Sequence, residues 1–155
     1  MARQYLSDEF SLLFMRSLIN SSDERLSGIA EKALKESQYH LRRSREWMLR
    51  LGDGTAESHD RLQRATNELW GYTSELFLMD EMERKLAEEG VAVDVRGLQD
   101  DWLMRVSATL VEATLTCPLG EWSVTGGRKG VHTEALGHLL SDLQFVQKSY
   151  PGLEW

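Results

Sequence analysis

Residues 21–54 have the sequence SSDERLSGIAEKALKESQYHLRRSREWMLRLGDG, which carries a helix start signal at one end and a stop signal at the other. Ser21, with Glu24 three residues later, predicts a capping box, and Gly52-Asp53-Gly54 predicts a turn. Between them, apolar and small residues recur every three or four positions, which indicates a helix with one buried side. The residues predicted to face inward are Leu26, Ile29, Ala30, Ala33, Ser37, His40, Leu41, Ser44, Trp47, Met48 and Leu51.

The same helical period continues on both sides of this segment. Residues 2–20 are apolar around most of the helix circumference, which is typical of an inner helix. The predicted N-caps of four later helices are Thr55, Asp80, Asp94 and Thr133. Their predicted inner residues include Leu62, Leu69, Tyr72, Leu76, Trp102, Val106, Leu110, Leu136, Leu139, Leu140, Leu143 and Val146. Apart from a glycine-rich loop over residues 117–131, the connections are short, so we predict an all-α bundle forming one domain over residues 1–155.

Composition limits the classes of function. The 155 residues are 41% hydrophobic and include 18 basic and 25 acidic side chains, a formal charge of −7, which argues against a nucleic-acid binder. The single cysteine, Cys117, excludes an internal disulfide and suits a reducing compartment. No apolar run approaches the ~20 residues that a membrane span needs. We therefore expect a soluble, cytoplasmic protein that binds neither nucleic acid nor membrane.

His40 is the most informative polar residue of the predicted inner stripe. Di-iron carboxylate bundles use Glu-x-x-His, because residues three apart on a helix can share a metal pair. Here Ser37 stands three residues before His40, and Glu36 stands four before it. Asp8 and Glu9, on the first helix, are candidates for the opposing carboxylate. Since this ligand set is incomplete, we prefer a core histidine satisfied by a serine, a tyrosine or a carboxylate.

A second group of candidates lies in the sequence GGRKG at residues 126–130 and just after it. Glycines let the backbone approach a phosphate, two basic side chains add charge, and the next helix begins with free N–H groups. The spacing matches neither the P-loop nor the dinucleotide-binding fingerprint, and a turn into a capped helix explains most of it. An anionic ligand here would be a coenzyme A phosphate or the carboxylates of a partner. The candidate contacts are Gly126, Gly127, Arg128, Lys129, His132 and Thr133.

The long helix also carries a run of arginines. Arg42 and Arg45 project away from the predicted inner stripe. This arrangement is typical of a solvated helix face, and equally of a docking surface for an acidic partner. Both interpretations stay open at this point.

Several stretches, taken in order along the chain, resemble one known family. They are LKESQYHLRRS (34–44), RLGDGT (50–55), LWGYTSELF (69–77), GGRKGVHTEALG (126–137), QFVQ (144–147) and YPGLEW (150–155). These stretches resemble the phenylacetic acid degradation proteins that form the C subunit of bacterial phenylacetyl-CoA epoxidases. The resemblance runs along nearly the whole chain.

The resemblance implies a ferritin-like bundle without catalytic residues or metal of its own. In that family a sister A subunit carries the di-iron site and binds phenylacetyl-CoA, and the C subunit is its structural partner. Ser37 would then occupy the position of a lost iron-binding glutamate, with His40, Glu36 and Asp8 as remnants. Family members are longer and begin with helices absent here, so we expect uncovered inner faces and association with the A subunit, with other subunits, or with a second copy. The alternatives are a di-iron enzyme in its own right and a free-standing helical adaptor.

Overall fold

The computed structural model describes residues 1–118, 120 and 122–154, and no β-strand occurs among them. Its α-helices are α1 (Ala2–Leu18), α2 (Glu24–Gly52), α3 (Ala56–Trp70), α4 (Glu81–Glu88), α5 (Gln99–Glu112) and α6 (Glu134–Ser149). Three 3-10 turns span Thr73–Phe77, Val95–Leu98 and Gly127–Lys129. The all-α bundle predicted from the sequence is confirmed. The chain divides into two compact units, residues 1–123 with α1–α5 and a second unit from residue 124 with α6.

Asp and Thr side chains cap α2, α3 and α4. Asp23, not Ser21, caps α2, and its carboxylate accepts the backbone N–H groups of residues 25 and 26. The predicted Ser21–Glu24 capping box is wrong, because the Ser21 hydroxyl donates instead to the Val91 carbonyl at 2.6 Å. A carboxylate is also the better acceptor at the positive end of a helix. The predicted N-cap at Thr55 is confirmed, as is a capping box between Asp80 and Glu83. The predicted N-cap of α5 at Asp94 is wrong: Asp94 caps the 3-10 turn that leads into α5, and α5 itself begins after Leu98, which makes no capping side-chain hydrogen bond.

The core of the first unit lies where α1 packs against α2, α3 and α5. Trp102 of α5 is 2% exposed, and its indole N–H donates to the Leu6 carbonyl at 3.1 Å. Its ring contacts Trp70 and Phe77, at 5.7 and 5.5 Å between ring centroids. The other fully or nearly fully buried side chains include Tyr5, Leu12, Leu13, Met48, Val106, Leu110 and Ala113. One helix, α1, therefore holds the unit together, as its apolar circumference predicts.

The C-terminal ends of α2 and α5 approach each other closely at Gly52. A β-carbon at residue 52 would overlap the carbonyl oxygen of Ala113 and lie 2.9 Å from the β-carbon of Ala113. The Thr114 hydroxyl donates to the Gly52 carbonyl at 3.0 Å. The stop signal in the sequence is therefore also a packing site, where only glycine leaves room for the neighbouring backbone.

Three inward assignments on α2 are wrong. Ile29 is 58% exposed, Trp47 is 40% exposed, and His40 is exposed as well. In each case the next residue along the chain, which was also predicted to face inward, is buried: Ala30, Leu41 and Met48. Successive residues of an α-helix are ~100° apart. The side of α2 covered by its neighbours is therefore rotated from the predicted stripe, and one flank of that stripe is left outside.

The end of α3 also differs from the prediction, because the helix ends earlier than its apolar period indicates. The helix stops at Trp70, and the chain enters a 3-10 turn over Thr73–Phe77, so the helical period does not reach Tyr72. Tyr72 is 43% exposed, and its ring meets the edge of Trp122 at 5.5 Å between centroids. The Trp122 ring also lies on Gly71, where it leaves no room for a β-carbon.

In the second unit, α6 carries an apolar side that the sequence predicted to face inward. Leu139, Leu140, Leu143 and Val146 are all exposed, between 41% and 71%. Residues 124–154 contain no other α-helix that could cover them within this unit. Thr133 lies at the N-cap of α6, but its side chain makes no capping hydrogen bond.

Candidate functional site

A polar pocket of about 390 Å³ lies between the start of α1 and the C-terminal half of α2. It brings together two of the residues considered for a metal site, Asp8 and His40. Glu9, Glu36 and Ser37, which were also considered for that site, are not among its lining residues. The full lining is Met1, Arg3, Gln4, Asp8, His40, Arg43 and Ser44. Arginines from both helices thus share the pocket with one carboxylate and one imidazole.

Asp8 is the most deeply buried charged group of the pocket, at 6% exposed. One oxygen, Oδ1, accepts a hydrogen bond from the Gln4 amide at 2.6 Å, and the Gln4 carbonyl oxygen in turn accepts from Arg3 at 2.9 Å. The other oxygen, Oδ2, is buried and makes no hydrogen bond within the described residues. A buried carboxylate oxygen without a donor is costly, so Asp8 is only half satisfied by this chain.

His40 does not play the part of a core histidine, and that prediction is wrong. Its ring is exposed beside the Tyr39 ring, at 5.6 Å between centroids. Its position one residue before the buried Leu41 puts it ~100° from the covered side of α2. The serine and the carboxylate of the pocket, Ser44 and Asp8, therefore do not enclose the His40 ring.

The candidate metal ligands do not converge. Glu36 is exposed, and Ser37 is half-buried outside the pocket, so only Asp8 and His40 face the same space. Across residues 1–118, 120 and 122–154, no three side chains of the His, Cys, Asp and Glu types are grouped closely enough to hold a metal ion. One carboxylate and one imidazole are fewer ligands than a di-iron carboxylate centre requires. These residues do not fit such a centre.

A second buried polar cluster joins α1 to α5. Glu9 is 4% exposed, and its Oε1 lies 3.8 Å from the Arg105 guanidinium. Burial raises the pKa of Glu9, and the charge of Arg105 opposes that rise. One turn earlier, Tyr5 is fully buried, burial raises the pKa of its phenol, and its hydroxyl makes no hydrogen bond of normal geometry within the described residues. This cluster was not predicted from the sequence, although Tyr5 and Glu9 lie four residues apart in an apolar helix.

The glycine-rich turn of the second unit uses its own backbone groups. Gly126 and Gly130 adopt the left-handed conformation, with φ of 100° and 85°. The N–H groups of Lys129 and Val131 both donate to the Gly126 carbonyl, at 2.9 and 3.0 Å. Because those amides close the turn, they do not form an open cradle for a phosphate. Contact of Arg128, Lys129, His132 or Thr133 with coenzyme A stays a prediction.

Comparison with known proteins assigns the chain to a family. The sequence pattern of the family described as phenylacetic acid catabolic protein matches residues 1–155. The chain belongs to that family. The C subunit of the 1,2-phenylacetyl-CoA epoxidase of Escherichia coli (strain K12) is 46% identical over 154 residues, which are 99% of this chain and 62% of that protein. The chain thus spans about three-fifths of the length of the curated relative it matches. The family resemblance predicted from the sequence is confirmed.

The two arginines considered for a docking face, Arg42 and Arg45, make different contacts. Arg45 is tied to α5, where it pairs with Glu112 and donates to the Thr109 hydroxyl at 3.3 Å. Arg42 is exposed and lies over the Tyr39 ring, 5.8 Å from its centroid. Arg45 therefore stabilises contact between helices, and Arg42 faces outward.

Within the described residues, no helix combines the length and the apolar character that crossing a lipid bilayer would require.

Proposed function

We propose that this protein is a non-catalytic structural subunit of a phenylacetyl-CoA 1,2-epoxidase. In that role it supports a di-iron A subunit, and the complex acts in aerobic phenylacetate degradation in the cytoplasm. The observation that carries the proposal is the 46% identity to the C subunit of the E. coli epoxidase over 99% of this chain.

The geometry of the polar side chains supports a role without chemistry of its own. Of the candidate metal ligands, only Asp8 and His40 line one pocket, and Glu9 is balanced by Arg105. The iron pair of the A subunit would supply oxygen activation. This chain would contribute helical surfaces that bury part of that subunit and hold it in place. Large apolar side chains left exposed on α2 and α5 suit such a contact, among them Ile29, Trp47, Met104 and Val111.

Coexpression with an affinity-tagged A subunit from the same source tests the proposal. We expect the two chains to copurify in a fixed ratio, and we expect epoxidation of phenylacetyl-CoA, measured with a reductase, to be higher for the pair than for either chain alone. His40→Ala should leave the iron content and the activity of the pair unchanged. Failure of the wild-type chain to copurify would contradict the proposed role and favour a free-standing helical adaptor.

A second candidate is a di-iron enzyme in its own right; Asp8 and His40 share a pocket, although they are fewer ligands than a di-iron centre requires. This second candidate function predicts about two irons per chain in the purified protein alone, as in other di-iron bundles. Iron analysis of the wild type beside His40→Ala and Asp8→Asn separates the two functions. Iron bound by the wild type and lost in both variants would support the enzyme and overturn the structural role.

A further inference from the structure

A second pocket, of about 460 Å³, lies in the first unit between the C-terminal half of α3 and the segment that follows α5. Small-molecule sites in proteins have volumes of about 300–1,000 Å³, and they combine aromatic walls with a few polar groups. This pocket has both kinds of side chain. Its lining includes Gln63, Asn67, Trp70, Thr116, Cys117 and Trp122.

Contacts within the same part of the chain hold the walls of this pocket in place. The Gln63 amide binds the backbone of Thr116 twice: its oxygen accepts the Thr116 N–H at 2.7 Å, and its nitrogen donates to the Thr116 carbonyl at 2.9 Å. On the other side the Trp122 ring lies on Gly71, and Trp70 packs against the core. The segment after α5 is therefore fastened to α3 at both ends of the pocket.

The walls of the pocket are aromatic, and none of its described lining residues carries a charge. One indole ring comes from Trp70 on α3 and the other from Trp122 on the facing segment. Aromatic side chains pack favourably against the flat ring of a ligand. An ionic ligand would lose part of its hydration here without gaining an opposite charge, which is costly. The lining therefore favours a neutral ligand with a planar ring.

Two hydrogen-bond donors of the pocket are left for such a ligand. The carbonyl oxygen of Asn67 accepts from the Gln63 amide at 2.9 Å, but the Asn67 amide N–H groups donate to no described residue. The indole N–H of Trp70 also donates to no described residue, and a β-carbon at Gly120 would lie 3.9 Å from its nitrogen. Donors without an acceptor favour a ligand that carries one, such as a carbonyl oxygen.

We propose that this pocket binds a neutral aromatic compound that carries a carbonyl oxygen. The ring of the ligand lies against Trp70 and Trp122, and its oxygen accepts a hydrogen bond from the Asn67 amide. Such a ligand contacts both α3 and the segment after α5, so its binding stabilises the folded chain. This inference goes beyond the proposed function and does not depend on it, because association with another subunit requires no ligand in this pocket.

The single cysteine of the chain reports directly on this pocket. Cys117 is half-buried in its lining, so a bound ligand should shield the thiol from alkylation by iodoacetamide. With the purified chain, we expect benzamide to slow that reaction at least threefold in a saturable manner, and to shift the NMR signal of the Trp70 indole N–H. Cyclohexanecarboxamide has the same amide without an aromatic ring, and benzoate has the ring with a charge. Both should leave the rate of alkylation within 1.5-fold of the rate without ligand.

Two substitutions in the pocket are compared with matched substitutions elsewhere. Trp122→Leu and Asn67→Ala should abolish protection by benzamide, measured for each variant as the ratio of the alkylation rates with and without it. Trp47→Leu and Asn20→Ala remove the same types of exposed side chain outside the pocket, and they should keep the protection. The two tryptophans are 44% and 40% exposed, so the pair is well matched. Far-UV circular dichroism checks the fold of each variant, and Asn67→Ala carries the comparison if Trp122→Leu does not fold.

The outcomes separate the site from the class of its ligand. Absent or unsaturable protection of the wild type by benzamide would overturn the site, as would protection that survives in either folded pocket variant. Equal protection by cyclohexanecarboxamide or by benzoate would overturn the neutral aromatic class. None of these results affects copurification with the A subunit, so the proposed function stands or falls separately.

Discussion

Two glycines of α2 should respond in opposite directions to the same substitution. Gly28 has open space around the position of a β-carbon, with nothing within 4 Å. Gly52 has the backbone of Ala113 in that position. Gly28→Ala and Gly52→Ala therefore add the same methyl group to the same helix, one into open space and one into the contact with α5.

The expected magnitudes follow from these surroundings. Alanine within a helix is favoured over glycine by about 0.5–1 kcal/mol, and Gly28 is half-buried with room for a β-carbon, so Gly28→Ala should stabilise the protein by that amount. At Gly52 the new methyl overlaps a carbonyl oxygen of the backbone, which cannot rotate away as a flexible side chain would. Overpacking of this kind costs about 1–3 kcal/mol, because α2 and α5 must separate at their ends. The Thr114 hydrogen bond to the Gly52 carbonyl is weakened by the same movement.

Urea unfolding followed by far-UV circular dichroism measures both effects. The difference between the two variants should be about 1.5–4 kcal/mol in the free energy of unfolding. Two variants of equal stability, or a Gly52→Ala protein at least as stable as the wild type, would refute the close approach of α2 and α5. A combined variant should show the sum of the two single effects, because the sites are 24 residues apart on one helix.

Three further predictions concern the core, a helix cap and a buried carboxylate. Trp102→Ala should cost about 3–5 kcal/mol of unfolding free energy, and Trp47→Ala clearly less, because 2% of the first side chain and 40% of the second are exposed; equal costs in urea unfolding would contradict this. Asp80→Ala should cost about 0.5–2 kcal/mol and speed hydrogen exchange in α4, whereas Glu81→Ala, which removes no cap, should do neither to that extent. Burial raises the pKa of Glu9, so its protonated form favours the folded state and that stabilisation is lost as the pH rises through the raised pKa. Glu9→Gln should therefore flatten the fall in stability as the pH rises above the usual pKa of glutamate, and an unchanged slope would show that Glu9 is not the group responsible.

Most of the bundle could be predicted because its signals are local. Thr55 and the pair Asp80–Glu83 cap their helices as the sequence predicts, since a capping residue contacts only the turn that follows it. Ser21 was misassigned because its hydroxyl donates to Val91, 70 residues away, and no local pattern reports such a contact. The exposure of Ile29, His40 and Trp47, at one edge of the predicted stripe of α2, has the same cause. The amphipathic pattern gives the period of a helix, but the helices packed against it determine which edge of a wide apolar stripe is covered.

The candidate site was only partly predictable for a related reason. Asp8 and His40 do share a pocket, as an opposing carboxylate and imidazole should, but helical spacing on one segment could not show that Glu36 and Ser37 lie outside it. Arg105, 96 residues after Glu9, is a partner that no spacing within α1 reveals.

The divergence of Asp8 and Glu9 explains why an acidic pair in an apolar helix does not make a metal site here. Adjacent residues of a helix point ~100° apart, so the two buried carboxylates of α1 cannot hold one ion together. Asp8 borders the pocket with α2, and Glu9 faces α5, where the Arg105 guanidinium lies 3.8 Å away. Arg105 thus supplies a positive charge beside the buried Glu9 carboxylate, although burial still raises the pKa of Glu9. This arrangement supports the proposed role of a subunit that acts through its surfaces.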